Sequence, residues 1–262
     1  ARTIYSALIN SINASAVDVL DQLGLKESYS FAKEKFGLDG LVDNYVTASG
    51  EVKSDIGYAP LALGALTRGI TVRDMASDIA IAMDILGITN ADVFGVSQGG
   101  MIAQYLAIDR PDLVRKLVLA VTLSQNNDTV KQVVNNWIEM AELGAMKALV
   151  ADMAEKMYSD AYVKRYRPFM PLLTILQKPK DVRRFVILAK ACLTCNVYET
   201  LDKIKCPVLV LGGRQDKVVT GSASEEIAAK LGCKIHMYDG LGHAAYEEAR
   251  DFNQIVFEFF IG

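Results

Sequence analysis

A serine becomes a nucleophile only when a neighbouring base takes its proton, and that base works only when a carboxylate orients it. This 262-residue chain holds two histidines, so an imidazole base must be His236 or His243. The pentapeptide Gly95-Val96-Ser97-Gln98-Gly99 fits the pattern G-x-S-x-G between an apolar run and a helical one. A serine on such a strand-to-helix turn is held with its hydroxyl exposed, and small neighbours let the turn close. The backbone N–H of Gln98, opening the helix, is placed to steady a developing oxyanion. His243 lies in Gly240-Leu241-Gly242-His243-Ala244, and Asp216 in Leu211-Gly212-Gly213-Arg214-Gln215-Asp216, each just past an apolar run. The implied chemistry is acyl transfer: Ser97 attacks, His243 shuttles the proton, and Asp216 fixes the imidazole. His236 stands inside Lys234-Ile235-His236-Met237-Tyr238, in strand alternation, and reads as packed or at a sheet face. Asp239 is an alternative acid, less well placed because it is so close to His243 in sequence.

These residues need a scaffold that brings them to one edge. From Thr71 the pattern alternates β and α. Residues 71–86 predict a helix with Thr71 as cap, and 92–96 a short strand. A helix follows over 101–109, then a buried strand over 116–123 (KLVLAVTL). Further strands are expected at 206–211 and 234–238, helices at 222–231 and 246–260, and a strand-free helical stretch between 126 and 197. Apolar strands separated by helices imply a parallel sheet covered on both faces, with ligands at its carboxyl edge. Ahead of Thr71, helices are expected over 4–24 and 26–36, then glycine-punctuated turns from 38 to 69, with no alternating strand.

Composition narrows the function classes. The chain is 51% apolar and 23% charged with a formal net charge of −3, which opposes the basic excess of a nucleic-acid binder. No stretch approaches the roughly 20 uninterrupted apolar residues of a membrane span. Four cysteines make no disulfide framework, and Cys192-x-x-Cys195 lacks the partners of a zinc site, so reduced thiols and a cytoplasmic location are expected. Acyl transfer by Ser97 calls for no metal and no cofactor.

Residues 71–262 resemble the α/β-hydrolase superfamily, especially small esterases and enol-lactonase-like members. The matching stretches are TVRDMASDIAIAMDILGI, VFGVSQGGMIAQYLAIDRPDLVRKLVLA, CPVLVLGGRQDKVV and GLGHAAYEE. The resemblance implies Ser97 as nucleophile, Asp216 as acid and His243 as base, in the chain order Ser, Asp, His that marks this architecture. It implies a core of 71–125 and 198–262 and a helical cap of 126–197 over the acyl pocket. Tyr158, Tyr162, Tyr166, Phe169 and Met170 are candidates to line that pocket or simply to pack. The substrate class implied is a small carboxylic ester or lactone; oligomeric state is open.

Residues 1–75 depart from that pattern, with no histidine and no His-Gly oxyanion loop. They instead resemble part of a class A penicillin-binding-protein transpeptidase domain, through RTIYSALINSINASAVDVLDQLG, SYSFAKEKFGLDGLV and DIGYAPLALGALTRGITVRDM. Ser11-Ile12-Asn13 matches that family's S-x-N, without the accompanying S-x-x-K or K-T-G. The expectation is a chimera with an atypical, mostly helical segment over 1–70. Two other readings follow from it: a catalytically impaired scaffold lacking a complete oxyanion hole, and a β-lactam-binding transpeptidase remnant. A second oxyanion donor would have to come from the loop near Gly57–Gly69.

Overall fold

The computed structural model describes residues 21–35, 41–46, 50, 52–57, 69–166 and 182–262. The chain divides into two compact units, Ala1–Ile70 and Thr71–Gly262. In the first unit, residues 21–23 are helical and Gly24 follows at φ +86°, a backbone that favours glycine. Helix α1 (Leu25–Lys35) comes next, close to the expected 26–36. Two short antiparallel strands, β1 (Tyr45–Val46) and β2 (Val52–Lys53), stand where the sequence suggested only turns. The fully buried Asp55 secures them: its carboxylate accepts the Val42 N–H at 2.9 Å, and its own N–H donates to the Val42 carbonyl at 2.7 Å. Ser11, Asn13 and most of the helix expected over 4–24 lie outside the described residues.

The second unit opens with helix α2 (Val72–Leu86), started by a reciprocal capping box. The Thr71 hydroxyl accepts the Asp74 N–H at 3.0 Å, and the Asp74 carboxylate accepts the Thr71 N–H at 2.8 Å. Satisfying two orphan amides in this way is worth about 1 kcal/mol. The order then runs β3 (Ala91–Val96), α3 (Gln98–Asp109), β4 (Val114–Ala120) and α4 (Asp128–Glu142). Helices α5 (Met146–Met157), α6 (Asp160–Tyr166) and α7 (Val182–Cys192) follow before β5 (Val208–Gly213). The chain closes with α8 (Gly221–Leu231), β6 (Lys234–Tyr238), α9 (Ala245–Glu248) and α10 (Phe252–Ile261).

The four later strands form one parallel sheet in the order β3-β4-β5-β6, with Val96 beside Ala120, Ala120 beside Leu211, and Gly213 beside Tyr238. Leu117 to Ala120 and all of β5 are buried, as two-sided covering demands of central strands. Each such leucine or valine contributes about 1.5–3 kcal/mol by leaving water. Among the described residues β3 and β6 form the edges of this sheet and leave Phe94 and Ile235 exposed. A cluster of Val118, Ala120, Val121, Leu209, Leu211, Ala245 and Phe252 joins the sheet to the last two helices.

Several expected boundaries move; α3, for one, starts at Gln98 and not at residue 101. β4 stops at Ala120, not residue 123, because Val121 adopts φ +44° and turns the chain out of line. Residues 121–124 stay buried after the turn, so their apolar character continues where the strand does not. β5 starts at Val208, after Pro207, and ends at Gly213. The expected closing helix over 246–260 is two helices, interrupted where Ala249 takes an extended backbone. Among the described residues no helix is long and apolar enough to cross a membrane.

Candidate active site

Ser97 sits between β3 and α3 with φ +52° and ψ −118°, a backbone that a non-glycine residue holds only under constraint from its surroundings. The constraint is visible. The Ser97 N–H donates to Ala120 O at 2.9 Å, continuing the β3–β4 pairing by one residue. The Ser97 carbonyl accepts from the Gly100 N–H at 2.9 Å, the Met101 N–H at 3.2 Å and the Thr122 hydroxyl at 2.7 Å. The glycines around it are not equivalent. A Cβ on Gly95 would stand 2.5 Å from the Gly99 carbonyl oxygen, and one on Gly100 would stand 2.7 Å from Thr122. A Cβ on Gly99 would meet nothing within 4 Å. The turn thus needs Gly95 and Gly100, whereas Gly99, the second glycine of the pentapeptide, has open space.

Asp216 and His243 arrive on loops after β5 and β6. His243 is 3% exposed and Asp216 is 7% exposed. His243 Nε2 lies 2.8 Å from Ser97 Oγ, and its Nδ1 lies 2.8 Å from Asp216 Oδ2. The other carboxylate oxygen of Asp216 accepts the Val218 N–H at 2.7 Å and the Val219 N–H at 3.0 Å. Three donors therefore hold the carboxylate in one orientation. With Nδ1–H given to Asp216, Nε2 presents its lone pair to the serine hydroxyl. The two loops are locked to each other: Arg214 N–H donates to Tyr238 O at 3.0 Å and Gln215 N–H to Leu241 O at 3.0 Å. Gly213 lies so close to the histidine loop that a Cβ there would be 2.2 Å from the Gly242 carbonyl oxygen.

The other candidates fall elsewhere. His236 is half-buried on β6, edge-on to Tyr238 with ring centroids 4.5 Å apart. Asp239 accepts from Arg214 Nε at 2.5 Å, with 85% of its side chain exposed. Gln98 is the first residue of α3, so its N–H has no preceding turn to bond. Residues 58–68 of the loop expected to hold a second oxyanion donor lie outside the described residues, as do Phe169 and Met170. Tyr158 stacks on Tyr162 with ring centroids 4.4 Å apart, and Tyr166 packs tilted against Tyr162 at 4.3 Å.

Several partners carried no sequence signal strong enough to single them out. Thr122 is a polar residue in the apolar run KLVLAVTL, and that mismatch is the trace it leaves. Ser159 donates through Oγ to Glu248 Oε2 at 2.5 Å and through N–H to Oε1 at 2.9 Å. Ala244 N–H donates to Met157 O at 2.7 Å. These bonds tie the end of α5 to the histidine loop and the residue before α6 to α9. On the serine side, Gln98 Nε2 donates to Leu188 O of α7 at 2.7 Å.

Burial pushes the Cys192 thiol up to about 11 and the Cys195 thiol up to about 12, so neither is a nucleophile near neutral pH. Among the described residues no group of three or more His, Cys, Asp or Glu side chains is gathered as a metal site would require.

Residues 19–170 match the family model described as the alpha/beta hydrolase fold. The chain is 29% identical over 163 residues to a protein named putative carbamate hydrolase RutD from Caulobacter segnis, covering 62% of this chain and 61% of that one. It thus spans about three-fifths of that relative's own length. Among solved structures it resembles MGS-M2, an alpha/beta hydrolase enzyme from a Medee basin deep-sea metagenome library. That match has TM-score 0.70 and 21% identity, over 84% of this chain and 78% of the other. It also resembles the enol-lactonase from Burkholderia xenovorans LB400, with TM-score 0.66 and 22% identity, over 74% and 75%. The family match runs through residues 19–70, and the comparisons give no support to the likeness of residues 1–75 to penicillin-binding proteins. The chimera expected from that likeness is therefore set aside.

Proposed function

The chain belongs to the alpha/beta hydrolase fold family, and from that premise we propose that it is a serine hydrolase of small carboxylic esters or lactones. One arrangement carries the reading: His243 lies 2.8 Å from Ser97 Oγ on one ring nitrogen and 2.8 Å from Asp216 on the other. Ser97 Oγ bonds to the acyl carbon as its proton passes to His243 Nε2. The tetrahedral oxyanion is met by the Gln98 N–H. As the C–O bond to the alcohol breaks, the imidazolium returns that proton to the leaving oxygen, and Asp216 stabilises the imidazolium throughout. Water then repeats the sequence on the acyl-enzyme, giving the free acid and Ser97. With a lactone, the leaving alcohol stays tethered and the product is a hydroxy acid. The Caulobacter relative's name suggests carbamates as a further acyl class, and the Burkholderia structure's name favours lactones.

An activated ester such as p-nitrophenyl acetate should be hydrolysed with an initial burst of p-nitrophenol. A fluorophosphonate should label Ser97. Ser97→Ala should lose turnover by about 10⁴-fold or more, as the groups of such a site act as a unit. Hydrolysis that persists unchanged in Ser97→Ala, or absence of labelling at Ser97, overturns the proposal.

A further inference from the structure

Gln98 touches two parts of the molecule at once. Its backbone N–H opens α3 beside Ser97, and its side chain spans to the Leu188 carbonyl in the C-terminal half of α7, 90 residues away in sequence. That carbonyl also accepts the Cys192 thiol at 3.6 Å. The stretch just after α7 is stitched down firmly. Asn126 Nδ2 donates to Leu193 O at 2.7 Å and to Cys195 O at 3.1 Å. Val197 N–H donates to Ser124 O at 2.7 Å, and Val72 N–H donates to Thr194 Oγ1 at 3.1 Å. Leu188 stands five residues before this anchor, about 7 Å along the helix axis. α7 is therefore anchored at residues 193–197 and packed along α4 with Val186 and Ala191 buried, and the Gln98 side chain ties it to the residue beside the nucleophile.

We propose that the Gln98 side chain is a positioning residue that holds α7 beside Ser97, coupling the fit of the acyl group to the aim of the Gln98 N–H. The inference rests on the serine-hydrolase reading above. The side chain does no chemistry; it fixes the wall that an acyl chain must meet. A short acyl group would feel little of that wall, and a longer one more.

Two variants test it. Gln98→Met keeps the length and removes the donor, and Gln98→Asn keeps an amide that is one methylene too short for the Leu188 carbonyl. Rates are compared for p-nitrophenyl acetate, butyrate and hexanoate, with hydrogen exchange followed in peptides covering 182–192 and 208–213. Both variants should lower kcat/KM by about fivefold for acetate, the worth of one neutral hydrogen bond, and by more as the acyl chain lengthens, chiefly through KM. Exchange over 182–192 should quicken by about fivefold while β5 is unchanged. An equal loss for every ester, or unaltered exchange over 182–192, overturns the proposal. Failure of the wild-type protein to label at Ser97 would instead overturn the hydrolase reading. Labelling with a wild-type acyl profile in both variants removes the coupling alone.

Discussion

Gly95 and Gly99 frame the same serine, yet alanine should have opposite effects at the two. At Gly95 the new methyl would meet the Gly99 carbonyl oxygen at 2.5 Å and the Gly100 Cα at 2.7 Å, both backbone atoms. Reaching the 3.4 Å at which ordinary contact begins requires a displacement of 0.9 Å between β3 and the first turn of α3. No side-chain rotation relieves it. Overpacking of this kind costs about 1–3 kcal/mol, which for a chain of this size lowers Tm by roughly 2–12 °C. The same displacement shifts Ser97 Oγ relative to His243 Nε2, now 2.8 Å apart, and a misplacement near 1 Å costs about 100-fold in rate. Gly99 lies in α3 with open space, so alanine there gains about 0.5–1 kcal/mol from helix propensity. Thermal unfolding by circular dichroism and the rate of fluorophosphonate labelling would read both effects. A Gly95→Ala protein with wild-type Tm and labelling rate, or a Gly99→Ala protein less stable than Gly95→Ala, would refute the steric reasoning.

Asp216→Asn should leave Tm within a few degrees, since its carbonyl oxygen can still accept from the Val218 and Val219 amides. Its NH₂ would face His243 Nδ1 and select the wrong tautomer, lowering kcat by about 10⁴-fold in ester hydrolysis. Thr71→Ala removes the side-chain half of the α2 capping box and should cost about 1 kcal/mol, read as a drop in urea midpoint with unchanged slope. Burial raises the Cys192 and Cys195 thiols to about 11 and 12 and Tyr238 and Tyr246 to about 12. Above pH 9 the unfolded chain therefore releases protons that the folded chain retains, and stability should fall as pH rises from 9 toward 12. Denaturant midpoints that stay flat across that range would contradict this. At pH 8 the native Cys192 and Cys195 thiols should react with iodoacetamide at least tenfold more slowly than in the unfolded chain.

Hydropathy read the parallel sheet well where strands are central and apolar, and where turns carry glycine or a clear change of pattern. β6 begins and ends as expected at Lys234 and Tyr238. It misjudged β4, because Val121, Thr122 and Leu123 are as buried as the strand before them although the chain has already turned. Burial and extension are different properties, and composition records the first. The split of the closing helix was equally hidden: Ala249-Arg250-Asp251 contains neither glycine nor proline, the residues that announce a helix end. Ser97, Asp216 and His243 drew attention because few residue types can do their work and the chain offers few copies of one of them. Their supports left weaker traces. The Val218 and Val219 amides that hold Asp216 belong to residues whose side chains say nothing about it, and the Ser159–Glu248 contact spans 89 positions.

The helices from α4 to α7 are inserted between β4 and β5, and none of the three loops that carry Ser97, Asp216 and His243 lies inside that insertion. Selection can therefore rewrite the insertion without disturbing the distances among those three residues, provided a few docking points are kept. Two of those points are main-chain carbonyls, at Met157 and Leu188, which almost any side chain can supply. Others depend on residue identity: Ser159 against Glu248, Tyr158 against Glu247 and Lys217 against Asp160. A transplanted insertion from another member of the family would thus need those side-chain pairs as well as correctly placed peptide groups, which limits free recombination to the stretches between the docking points.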